Sequence, residues 1–107
     1  MVERRRSLRV GVRILIDVFL LGELSTRSRG VISDISLGGM ALETTEDLRL
    51  GDALILRFSL DAKNFFDLKG KILRKEKQPG TLKYGIKFTK IGLIEKIRLN
   101  RYVVIHR

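Results

Sequence analysis

The sequence predicts a mainly β fold: a run of short antiparallel strands, six in all, followed by one C-terminal α-helix. Three observations lead there. From Val12 to Thr89 apolar and polar residues alternate with a period of two, the mark of strands with one buried face. Turn-forming clusters interrupt that alternation at short intervals. After Thr89 the apolar residues recur at helical spacing. The 107 residues, 44% of them hydrophobic, are enough for one ordinary domain with a compact core. Strand lengths and turn spacing of this kind suit a small barrel or sandwich.

Taken in order, the first strand starts near Val12. It carries Val12, Ile14, Ile16, Val18 and Leu20 on one face and Arg13, Leu15, Asp17, Phe19 and Leu21 on the other. Gly22 and Glu23 make a turn. A second strand is expected from about Thr26 to Ser36 and a third from Met40 to Thr44, before a turn at Leu50-Gly51-Asp52. In the fourth strand Leu54, Leu56, Phe58 and Leu60 alternate with Ile55, Arg57 and Ser59, and Asp61 to Asn64 is a hairpin break. In the fifth, Phe66, Leu68, Gly70 and Ile72 alternate with Asp67, Lys69, Lys71 and Leu73; Gly70 marks a bend that helps the sheet to close. Gln78-Pro79-Gly80 closes a hairpin into the sixth strand, where Leu82, Tyr84, Ile86 and Phe88 alternate with Lys83, Gly85, Lys87 and Thr89.

A helix is expected over about 92 to 104, with Leu93, Ile97 and Val104 on its apolar side and Ile94 beside them. Its β-branched end, Tyr102-Val103-Val104-Ile105, is also compatible with an extended tail. Packing of this face on the barrel is the favoured reading, and a partner interface at Ile94, Ile97 and residues 102–105 is the other.

Composition excludes several functions. Without cysteine there are no disulfides, thiolate nucleophiles or Cys-based zinc sites. With a single histidine, His106, neither a Ser-His-Asp triad nor a multi-histidine metal site can be built within the chain. No carboxylate or hydroxyl is paired with a general base, so an enzyme is the least expected reading. No run reaches the roughly 18 apolar residues of a membrane span, and no apolar segment follows the basic start as in a secretory signal. A cytoplasmic location is therefore expected. The net charge of +10 favours an anionic partner.

Two short patterns carry the functional signal. Arg5-Arg6-Ser7-Leu8-Arg9 is an R-x-x-x-R, preceded by Arg4 and followed by Arg13. Asp34-Ile35-Ser36-Leu37-Gly38-Gly39 is a D-x-S-x-x-G. Either one alone is commonly no more than a solvated basic end or a turn. Here the arginines stand just before the first strand, and the second pattern joins the second strand to the third. Glu3-Arg4-Arg5-Arg6, Leu50-Gly51-Asp52 and Tyr84-Gly85-Ile86-Lys87-Phe88 add to the arrangement. The whole chain thereby resembles the PilZ domain family.

The resemblance implies a six-stranded β-barrel that acts as a receptor or adaptor for the bacterial second messenger cyclic di-GMP, with both ligand-binding motifs intact. It implies no cofactor beyond that ligand, and an output in motility, adhesion or exopolysaccharide control through a protein partner. The chain then reads as a single domain, 1–107, with an Arg-rich ligand-binding segment at 1–10, the barrel at 11–90 and the helix at 91–107.

The chemistry of the residues agrees. Arginine's planar fork bonds phosphate oxygens bidentately, matches guanine O6 and N7, and stacks on the base. Arg5 and Arg9 are the candidates for these contacts, with Arg4 or Arg6 assisting. The guanine N1–H and 2-amino group call for an acceptor, which Asp34 supplies. Ser36, two residues on, is expected on the same strand face, free to donate to a phosphate or accept from the base. Gly39 is expected to allow a turn or a close approach to the ligand, and Gly38 to loosen the same loop. Ile35 and Leu37 anchor that loop in the core. Five like charges near a chain end bury little, so the first nine residues are expected to be mobile until ligand folds them over the barrel.

Two rivals remain at this point: a basic barrel binding single-stranded nucleic acid, and a ligand-independent protein-interaction module. The first would use Lys69, Lys71, Lys75, Lys83 and Lys87 with exposed aromatics. Most aromatics fall on inward positions, leaving Phe19 and Phe65 as exposed candidates. Nucleic acid is therefore the less favoured partner.

Overall fold

A computed structural model describes the backbone of residues 9–106 and, outside 23–27, their side chains. Six strands are followed by one helix: β1 (Val10–Leu20), β2 (Glu23–Ile35), β3 (Gly39–Thr44), β4 (Ala53–Asp61), β5 (Asn64–Gln78), β6 (Thr81–Lys90) and α1 (Leu93–His106). All pairings are antiparallel, and the sheet closes in the order β1-β2-β3-β6-β5-β4.

Alternation fills the barrel as the sequence predicts. Leu54, Leu56, Phe58 and Leu60 from β4 meet Phe66, Leu68 and Ile72 from β5 and Tyr84, Ile86 and Phe88 from β6. Phe58 and Phe66 are cross-strand partners whose rings stack at 5.3 Å. Gly70 also faces inward: a Cβ there would lie 2.7 Å from Ile86 Cγ2 and 3.0 Å from Leu56 Cδ1. It lies at a register shift, so the expected bend is a bulge next to a crowded core position.

Tight turns use glycine where the backbone demands it. Gly22, Gly51 and Gly80 have positive φ, which L-residues with a side chain adopt only with strain. The loop between β3 and β4 is tied to the core by Tyr84. Its buried hydroxyl accepts from the Leu48 amide at 2.8 Å and donates to the Glu46 carbonyl at 2.7 Å.

One expectation needs correction. β5 runs on to the hairpin at Gln78, past a register shift between Ile72 and Arg74. The helix forms through its β-branched end, but it buries a different stripe. Leu99 and Val103 are in the core with Tyr102 against it, whereas Leu93, Ile94, Ile97, Val104 and Ile105 are exposed. Arg98 decides the rotation: its guanidinium donates to the Phe65 carbonyl at 2.8 Å and to Asn64 Oδ1 at 3.3 Å, and it lies 4.6 Å over the Phe66 ring. The face carrying Arg98, Leu99 and Tyr102 therefore meets the barrel. Among the described residues no helix is long and apolar enough to cross a membrane.

Candidate ligand site

The site is built by a slip in the alternation. Ile32 is fully buried, so Asp34, two residues on, would share its inward face in a regular strand. A bulge between Ile32 and Asp34 prevents this. It turns Asp34 outward opposite Ala41 and brings Ile35 into the core. Ser33, the extra residue, keeps a buried hydroxyl with no hydrogen-bond partner among the described residues.

Arg9, immediately before β1, reaches this carboxylate. Its Nη1 donates to Asp34 Oδ1 at 2.6 Å, with both side chains part-exposed. The register explains the reach, since Gly11 of β1 stands opposite Asp34 of β2. A guanidinium and a carboxylate from the two sequence motifs thus meet at one point. Arg4, Arg5 and Arg6 lie outside the described residues.

Ser36 and Gly38 of the second motif stand in the turn that follows β2, and Gly39 begins β3. β2 ends at Ile35, so Ser36 is not in the strand row of Asp34. Ser36 is 3% exposed, its hydroxyl accepts from the Gly38 amide at 3.2 Å, and its own amide donates to the Gly39 carbonyl at 2.9 Å. The hydroxyl is therefore engaged in closing the turn. Gly39 does not have positive φ. A Cβ there would lie 2.0 Å from the Ile86 carbonyl oxygen, so a close approach to β6 requires glycine. The Gly38 carbonyl accepts from the Phe88 amide at 2.9 Å, which locks the loop rather than loosening it. Leu37 packs against the core as expected.

Arg9 and Asp34 form one wall of an open cleft of about 760 Å³. That volume lies within the roughly 300–1,000 Å³ of small-molecule sites. Ala41, Tyr84 and Gly85 line it further, and Leu73, Arg74, Lys75, Glu76 and Lys83 come from its far side. Four lining residues are cations and two are carboxylates, which suits an anion. Lys75 is ion-paired with Asp47, which raises the lysine's pKa and lowers the carboxyl's. Sequence reasoning missed Arg74 and Glu76. A signal was present: Arg74 continues the parity of Phe66, Leu68, Gly70 and Ile72, and a charge on a core parity announces a bulge.

The aromatics leave little for base stacking elsewhere. Phe58, Phe66, Tyr84 and Phe88 are buried, and Phe19 lies half-buried under Arg57. Among the described residues Phe65 is the exposed phenylalanine.

This fold has counterparts among known proteins. The family model for the PilZ domain matches residues 3–104. The chain belongs to the PilZ domain family. Among solved structures, the Bacillus subtilis inhibitor of motility MotI/DgrA is similar with a TM-score of 0.84 and 17% identity, over 97% of this chain and 51% of that one. The PilZ domain of Escherichia coli YcgR, solved with c-di-GMP, gives a TM-score of 0.81 and 16% identity, over 97% and 92%. The PilZ domain of CeSA from a cellulose-synthesizing bacterium gives 0.68 and 23%, over 90% and 94%. At these identities the likeness to each is one of fold. The chain spans about half the length of MotI/DgrA. Comparison with curated protein sequences finds no match.

Proposed function

We propose that this PilZ domain is a receptor for cyclic di-GMP, bound in the cleft beside Asp34 by Arg9 together with Arg5 and, in support, Arg4 and Arg6. The observation that carries the reading is the meeting of Arg9 and Asp34 at the cleft wall. Two motifs separated by a whole strand converge where a guanine needs both an acceptor and a cation. YcgR, of the same fold, has been solved with this nucleotide.

Binding exchanges partners. Arg9 and Asp34 satisfy each other in this structure. Cyclic di-GMP replaces that pair: a guanine donates its N1–H and 2-amino group to Asp34, and the arginines turn to phosphate and base edge. Hydrogen bonds to charged groups contribute about 1.5–3 kcal/mol each. A few of them, less the lost ion pair, support a dissociation constant of about a micromolar, or roughly −8 kcal/mol. Ser36, Gly38 and Gly39 support the site by fixing the turn that follows Asp34.

The same exchange gives a switch. Neutralising the arginines draws the segment before Arg9 across the barrel and presents a new surface to a protein partner in motility, adhesion or exopolysaccharide control. The domain acts as an adaptor in the cytoplasm, without chemistry of its own. Titration calorimetry with cyclic di-GMP tests the receptor reading: saturable micromolar binding is expected, and no heat at millimolar ligand overturns it. Hydrogen exchange tests the switch. Protection of the residues before Arg9 rises with ligand; unchanged protection at saturation removes the switch and leaves the receptor.

A further inference from the structure

We propose that Arg74 is a further ligand-binding arginine, which reads the base edge of the second guanine of cyclic di-GMP from the wall opposite Arg9 and Asp34. The inference rests on the reading of the cleft as the cyclic di-GMP site and adds a residue that neither motif contains.

The register places it. Asp34 stands opposite Ala41, Ala41 opposite Gly85, and Gly85 opposite Arg74. One row across β2, β3, β6 and β5 thus has a charged side chain at each end and the two smallest side chains between. With strands about 4.8 Å apart, the two ends stand roughly 14 Å from each other. The ligand also has two ends, one guanine on each side of its phosphate ring.

The same backbone device aims both charges. Ile72 is buried, so in a regular strand Arg74 would point into the barrel after it. The register shift between Ile72 and Arg74 turns it outward, as the shift before Asp34 does on β2. Bulges re-aim side chains beside binding sites at a cost in regular pairing.

Arg74 is also available. Among the described residues it has no ion pair or hydrogen bond, while Arg9, Arg29, Arg57 and Lys75 each have a carboxylate partner. Its guanidinium lies against Gly85: a Cβ there would come within 2.8 Å of Nε and 2.9 Å of Nη2. Glycine lets the planar group rest on the strand with its outer side exposed to the cleft. That fork donates to guanine O6 and N7 together, whereas adenine offers an amino group in place of O6. A lysine in this place would supply charge without the paired donors.

Calorimetry of wild type, Arg74→Ala, Arg74→Lys and Arg9→Ala, each with cyclic di-GMP and with 3′,3′-cyclic GMP-AMP, decides the matter. The mixed dinucleotide gives Asp34 its guanine but offers Arg74 an adenine. Wild type is expected to prefer cyclic di-GMP. Arg74→Ala should weaken cyclic di-GMP about 10- to 100-fold and bring the two ligands close to equal affinity. Arg74→Lys should not restore the preference. Gly85→Ala, which displaces the guanidinium, should reproduce part of the loss, and a thermal melt of each variant checks its fold. Unchanged affinity in Arg74→Ala, an equal loss for both ligands, or full rescue by lysine overturns the assignment while wild-type binding leaves the receptor reading standing. If wild type binds neither ligand, the receptor reading itself is overturned.

Discussion

Arginine is used in opposite ways in two regions of this barrel. Under the helix, Arg98 donates to Asn64 and to the Phe65 carbonyl and covers the Phe66 ring. Across the cleft, Arg74 has no partner among the described residues, and Arg9 shares one part-exposed carboxylate. The first guanidinium is a fixed part of the fold, and the other two are open to exchange. Partner count and burial, rather than residue type, separate a structural cation from a binding one. Stability and recognition should therefore respond to different substitutions.

The sharpest division is expected from Leu99→Ala. It empties a fully buried position under the helix and should cost about 2–5 kcal/mol of stability, read by urea unfolding. Cyclic di-GMP affinity of the molecules that remain folded should be unchanged. Asp34→Ala is the converse: binding should fall about 10- to 100-fold with little change in melting temperature, because the lost pair is part-exposed. A large loss of stability here would break the contrast. Arg98→Ala should lower stability by about 1–2 kcal/mol through its hydrogen bonds and ring contact, again with wild-type binding.

The smallest effect is expected from Asp61→Ala. Amide donation from Lys63, followed by Asn64, lowers the Asp61 pKa below its ordinary 3.8. Its folded-state pKa is thus depressed, so its contribution is present above 3.8 and is lost as pH falls through the lower folded value. The melting-temperature deficit of Asp61→Ala should be small at pH 7 and vanish towards pH 2. A deficit that persists in acid would assign the role to packing.

Most of the barrel could be read from alternation, because a closed sheet with one buried face imposes the period of two on every strand. The helix face could not. Apolar residues lie on two sides of α1, and nothing local tells Leu99 and Val103 from Leu93, Ile97 and Val104; the choice follows from where Arg98 finds acceptors on β5. At the site, Arg9 and Asp34 were legible through their motifs. Arg74 and Gly85 were not, because only the register across three strand pairs brings them to the same row. The placement of Ser36 differs from the expected strand row for a local reason. Strand periodicity was extended one residue past the point where the chain turns, and the hydroxyl turned with it.

Closure of the sheet also limits how another protein can attach. β1 is hydrogen-bonded to both β2 and β4, so the ring closes, and a foreign strand could add only where strands overhang their neighbours, as at the start of β1 and the end of β5. Over most of the barrel an associate therefore grips outward side chains, and on the helix the bare apolar stripe. Such contacts can change by point substitution while the interior stays the same, which leaves one scaffold free to acquire different associates.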